Sequence, residues 1–155
     1  MMVIHSISYF DVPHSGIERT RRMWAKALHS STMNDVETEA EELNRAIQGN
    51  HFSRAALLAR SMGRPERELR DLQRKALWQM AAIYRNPQGT KTLSMQYDLP
   101  KDQVREILER TAEEKRREGD DKSLGACYDL ETGKYLTLQE WMEYYFKNWD
   151  KIGIR

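Results

Sequence analysis

Apolar residues recur three or four positions apart over most of the chain, the spacing of one helical face. From Ser15 to Leu28 that face holds Ile17, Trp24, Ala27 and Leu28. Val36, Ala40, Leu43 and Ile47 mark a second helix, opened by Asn34 with Glu37 as a capping box and closed by Gly49-Asn50. Ser53 is the expected cap of a helix through Met62, which Gly63 then breaks. Pro65 suits the first turn of a long helix in which Leu69, Leu72, Ala76, Met80 and Ile83 or Tyr84 keep one face to about Arg85. Asn86-Pro-Gln-Gly89 reads as a turn. A short helix follows over about Thr90–Tyr97, and Pro100 opens another to about Glu118.

Alternation replaces this period in two places. Residues 3–10 are β-branched and aromatic enough for a short strand. Leu124–Tyr128 and Lys134–Leu136 flank Asp129–Gly133 as a β-hairpin, and Thr137 with Glu140 forms a capping box for a final helix to about Trp149. The expected fold is mainly α. Three stretches share one compact unit: 1–50 as N-terminal strand and helices, 51–118 as helical core, and 119–155 as hairpin plus C-terminal helix.

Composition changes this picture little. Among 155 residues, 25 Lys and Arg face 24 Asp and Glu, a formal net charge of +1, so the chain is not a polybasic coat. Charged residues make up 32% of the chain, and a thin aliphatic core is supplemented by eight Met, four Trp and seven Tyr. Apolar runs of about four residues are too short to span a membrane. One cysteine, Cys127, read as a small buried strand residue, fits a reducing cytoplasm.

A pattern repeats at an offset of 35 residues. Leu58-Ala59, Met62-Gly63, Pro65, Leu69 and Leu72 are matched by Leu93-Ser94, Tyr97-Asp98, Leu99-Pro100, Val104 and Ile107. The small residue lets two helices approach, the turn residue relieves the corner, and the later apolar pair locks the second helix across the first. This spacing resembles the helix-turn-helix of DNA-binding proteins. The resemblance covers about 20 residues per copy and implies double-stranded DNA as partner. Arg64 in the first copy, and Ser94 and Asp98 in the second, depart from the usual residues. Only two copies exist and the signature positions are unmet, so a tetratricopeptide reading is set aside.

Electrostatics favour the first copy. Residues 51–76 hold seven Lys and Arg against Glu66, Glu68 and Asp71, a local excess of +4. Arg67, Arg70 and Arg74 fall at i, i+3 and i+7, expected on the face away from Leu69 and Leu72, where guanidinium forks clamp phosphates or read guanine. Arg64 lies in the turn before them. In the second copy Lys101, Gln103 and Arg105 start the presented helix, diluted by Glu106 and Glu109. The plain alternative is architecture: two helices at a tight turn, with arginines on a solvated surface.

A hairpin after the presented helix is the order found in winged helix-turn-helix domains. Lys122 and Lys134 are its only cations, so a core-covering role is expected. Seven of the fourteen aromatic residues lie between Tyr128 and Trp149. Trp141, Tyr145 and Trp149 make an i, i+4, i+8 packing stripe, and aromatics on more than one side predict a homodimer or docking interface there. The glycines form no phosphate loop, the four histidines have no ligand spacing and the single Cys excludes a thiolate cluster, so no metal, cofactor or catalytic centre is expected. The expectation is a cytoplasmic, homodimeric DNA-binding transcriptional regulator. The rival from another class is a helical protein–protein adaptor.

Overall fold

A computed structural model describes residues 38–153. The expected strand at 3–10, the helix over Ser15–Leu28 and the Asn34 cap lie outside the described residues. Two compact units divide the chain, residues 1–42 and 43–155. Of the first, the described residues 38–42 are helical; all later elements belong to the second.

The second unit is mainly helical, as the spacing predicts. It begins with residues 43–48, the end of helix α1 (38–48), followed by α2 (Phe52–Ser61), α3 (Glu66–Trp78), α4 (Pro87–Gln96) and α5 (Lys101–Arg117). A two-stranded antiparallel hairpin comes next, β1 (Cys127–Asp129) with β2 (Lys134–Leu136), and then α6 (Leu138–Lys147). Cys127 pairs with Leu136, Tyr128 with Tyr135 and Asp129 with Lys134. Leu136 and Asp129 turn inward, so the hairpin covers the core with one face. The strands are shorter than expected: Leu124 sits in a single 3-10 turn, Lys122–Leu124. Cys127 lies in the strand but is exposed, a correction to its reading as buried.

Local chemistry explains most helix ends. Thr137 accepts from the Glu140 amide at 3.2 Å and donates to its carboxylate at 3.0 Å, which starts α6. Asn86-Pro-Gln-Gly89 is a helix start, not a free turn. The Asn86 side chain accepts from the Gly89 amide at 2.9 Å, and Pro87 occupies the first helical position. A Cβ on Gly89 would lie 2.8 Å from Met80 Sδ, so a larger residue here requires the Met80 side chain to move. His51, not Ser53, stands at the cap of α2, and Pro65 is the N-cap of α3, one position before its first turn.

The long helix expected to Arg85 is interrupted. Gln79–Ile83 widens into a π-helix, with the Tyr84 amide bonded to the Gln79 carbonyl at 2.9 Å. The wider turn shifts the helical face, so Ala81 and Ala82 are buried while Ile83 and Tyr84 are exposed. Arg85 then adopts φ 51° and donates to the carbonyls of Ala82, Ser123, Gly125 and Leu136 at 2.7–3.1 Å. One guanidinium thereby ties the segment carrying the hairpin to the end of the π turn. Burial holds its pKa below the usual arginine value.

Two apolar clusters result. The larger joins Ala76–Trp78 of α3, Leu93, Val104, Leu108 and the inward face of α6. The smaller is built from small residues: Leu43, Ala46, Ala55, Ala56, Ala59 and Leu72. Phe52 and Tyr97 pack against both. No helix among the described residues is long and apolar enough to cross a membrane.

Candidate nucleic-acid interface

The two segments of the 35-residue repeat fold into the same corner. After α2, Gly63 takes φ 65°, the Gly63 amide bonds to the Arg60 carbonyl at 3.1 Å and the Arg64 amide to the Ala59 carbonyl at 3.0 Å. After α4, Asp98 takes φ 52°, with its amide on Met95 at 3.3 Å and the Leu99 amide on Ser94 at 2.9 Å. Both are Schellman ends, in which a left-handed residue lets two amides cover the last carbonyls. Ser94 does more than stay small. Its hydroxyl donates to the Leu99 carbonyl at 2.8 Å and so ties the second corner from both sides.

The corners deliver α3 and α5, and α3 packs against α2, α4 and α5. Arg67, Arg70 and Arg74 do share a surface, a shallow depression that also holds Pro65, Glu68 and Asp71. Their placement differs from the expectation in one respect. Arg70 and Arg74 are not turned away from Leu69: all three also line a deeper cleft of about 740 Å³ between α3 and the α4–α5 corner. Gln103 from the second corner lines the same cleft, as do Arg60, Gln73, Tyr97 and Arg110. Candidate residues from both copies of the repeat therefore meet around one feature.

Most of the named cations are paired. Arg64 binds Glu68 at 3.1 Å, Arg70 binds Glu66 at 2.6 Å and Arg105 binds Glu109 at 2.9 Å, each one helical turn apart. Arg74 bridges Asp71 on its own helix and Glu114 on α5, both at 3.0 Å. Exposed pairs of this kind are worth roughly 0.3–0.5 kcal/mol, which a bidentate phosphate contact outweighs. The pairing reduces the field more than it blocks the groups, since Glu114 lowers the local excess from +4 to +3. Arg67, Lys101 and Gln103 are exposed, and their side chains make no hydrogen bond or ion pair with other described residues.

Two perturbed groups border these surfaces. Burial raises the pKa of Asp71, but Lys75 and Arg74 together outweigh it and hold the carboxyl below its ordinary value. Burial pushes Tyr97 up to about 12, and its hydroxyl is shielded without a hydrogen-bond partner.

The aromatic set at the C-terminus behaves differently from the expectation. Trp141, Tyr145 and Trp149 are 1%, 3% and 9% exposed. Trp141 and Tyr145 rings lie 5.1 Å apart, and Phe146 stacks on Trp149 at 4.9 Å. Tyr145 also donates to Asp129 at 2.7 Å. These rings are spent inside the chain's own core, so none is available as an interface anchor. The packing half of their reading is what the structure shows. The outward surface is instead the other face of the hairpin: Tyr128 and Tyr135, edge to face at 5.4 Å, with Leu130 at the tip 90% exposed. Alternation in the strands carried this signal, because Leu136 inward requires Tyr135 outward.

Of the residues lining the deep cleft, Gln73 and Arg110 are outside both the repeated motif and the candidates drawn from it, while Tyr97 enters the motif only as a turn residue. Arg110 stands seven positions after Gln103, and Gln73 three after Arg70, so helical spacing places them beside the named ones. Among the described residues no group of three or more His, Cys, Asp or Glu is placed to hold a metal ion. Comparison with family models, with curated proteins and with solved structures gives no match to this chain.

Proposed function

We propose that the chain is a non-catalytic DNA-binding protein, a transcriptional regulator that meets duplex DNA with the N-terminal turns of α5 and α3. The α4–α5 corner carries the reading. It has the left-handed turn residue, the buried small residue before it, the buried Val104 and Leu108 behind the presented helix, and an exposed first turn with Lys101 and Gln103. Arg67 and Arg70 supply phosphate contacts beside it, and Arg64, Arg74 and Arg105 follow by exchanging an exposed carboxylate for a phosphate. Trp141, Tyr145 and Trp149 are not assigned a dimer contact in this reading, because they are buried in the chain itself.

Fluorescence anisotropy of a labelled random duplex at rising salt tests this. Binding that weakens steeply with salt is expected, and Arg67→Glu with Arg70→Glu should flatten the slope by roughly one unit per lost contact. Duplex binding that is absent at low salt contradicts the proposal.

The second reading is a helical protein–protein adaptor. The observation favouring it is the outward Tyr128, Tyr135 and Leu130 face, which exposes apolar area without matching charge. It predicts that Tyr135→Ala abolishes partner capture while duplex DNA has no effect.

A further inference from the structure

The cleft between α3 and the α4–α5 corner has the make-up of a small-molecule site. Its volume of about 740 Å³ lies within the roughly 300–1,000 Å³ of such sites. Leu69, Leu77, Leu99 and Ile107 give it an apolar floor, and Tyr97 adds an aromatic ring. Gln73 and Gln103 stand at its edge with side-chain amides bound to no other described residue.

Charge decides what class of molecule fits. Four arginines line the cleft against Glu66 and Asp98. Three of the four are occupied: Arg70 by Glu66, Arg110 by Glu106 at 2.7 Å, and Arg74 by Asp71 and Glu114. Arg60 alone among them binds no carboxylate; its guanidinium donates to the Gln96 carbonyl at 3.2 Å. With the outer partners Asp71, Glu106, Glu114 and Lys75 included, five acids stand against five cations, so the cleft carries no net charge to hold a polyanion by itself. Arg70, Arg74 and Arg110 take an anion only by releasing a carboxylate, whereas Arg60 takes one negative charge without that exchange.

The geometry points to a binding site for a small organic monocarboxylate with an aromatic or branched aliphatic body, its carboxylate on Arg60 and its body on the leucine and isoleucine floor. The cleft shares Arg70, Arg74 and Gln103 with the proposed duplex face. The test therefore uses no DNA, and its outcome leaves the duplex titration to stand separately.

Isothermal titration of the full chain with benzoate and with 4-methylpentanoate, against neutral benzyl alcohol, tests the site. Saturable binding of at least one carboxylate is expected, with benzyl alcohol about tenfold weaker or more, as loss of one charge-assisted contact implies. Arg60→Gln keeps a donor for the Gln96 carbonyl and should weaken the carboxylate by about the same factor. Ile107→Phe, which fills the floor, should weaken both kinds of probe, and thermal melting verifies that the variants fold. Binding of neither carboxylate overturns the proposal. So does equal binding of benzyl alcohol, a comparison that stands on the unmodified protein even where a variant does not fold.

Discussion

At Gly63 and at Asp98 the chain leaves a helix through the same left-handed residue, and in each case the next amide reaches back to a buried small residue, Ala59 or Ser94. The two corners differ in their surroundings. The first sits on a cluster of alanines with Leu43 and Leu72, and carries most of the arginines. The second sits on the large core with Trp141, Leu108 and Phe146, and carries a serine whose hydroxyl closes the turn. Burial within the apolar pair is also exchanged. Leu72 is buried and Leu69 only partly in the first, whereas Val104 is buried and Ile107 only partly in the second. One backbone geometry therefore supports two divisions of labour: a basic corner on a light core, and a corner with an exposed first turn on a heavy core.

Breaking the heavy core should have the largest effect. Trp141→Ala removes a ring that is almost wholly buried and should cost roughly 3–5 kcal/mol in urea unfolding. Leu72→Ala at the first corner should fall at the lower end of roughly 2–5 kcal/mol by the same measurement, below the Trp141 variant. Equal losses from these two sites would argue that the clusters do not differ in weight.

Next in size is the hydroxyl that distinguishes the second corner. Ser94→Ala removes the donor to the part-buried Leu99 carbonyl and should cost up to about 1.5 kcal/mol. A change within error would mean that the Ser94 bond to Leu99 adds nothing to the turn.

The smallest effects come from the left-handed residues. A Cβ on Gly63 meets nothing within 4 Å, so Gly63→Ala isolates backbone strain and should cost about 1 kcal/mol. Asp98→Gly should stabilise by a few tenths to about 1 kcal/mol, because aspartate bears the same conformation less easily. Loss of stability on Asp98→Gly would show that the aspartate side chain has a role the corner geometry does not explain.

The corners were legible because each depends on residues close together in sequence. Spacing of Leu58, Ala59, Gly63, Leu69 and Leu72 suffices to predict a local bend, and the second copy follows by offset. The hairpin and the Thr137 cap were legible for the same reason. The π turn was not, since nothing in Gln79–Ile83 marks the extra residue per turn; it follows from packing of Ala81 and Ala82 and from the Arg85 bonds to segments 38–51 residues away. The aromatic helix was half legible. Periodicity identified its packing face, but which rings remained outside depended on how the hairpin folded back over it. The cleft was the least legible feature. It joins Arg60 of α2, Arg70 of α3 and Gln103 of α5, and no local spacing connects three helices.

The central claim is that the first turns of α5 and α3, and not the outer hairpin face, meet the partner, and that the partner is duplex DNA. Mapping amide chemical shifts during titration with a short duplex tests it most directly. The account predicts shifts concentrated at Glu66–Arg70 and at Lys101–Arg105, reversed by added salt. Shifts confined to Tyr128–Tyr135, or none at low salt, would contradict it.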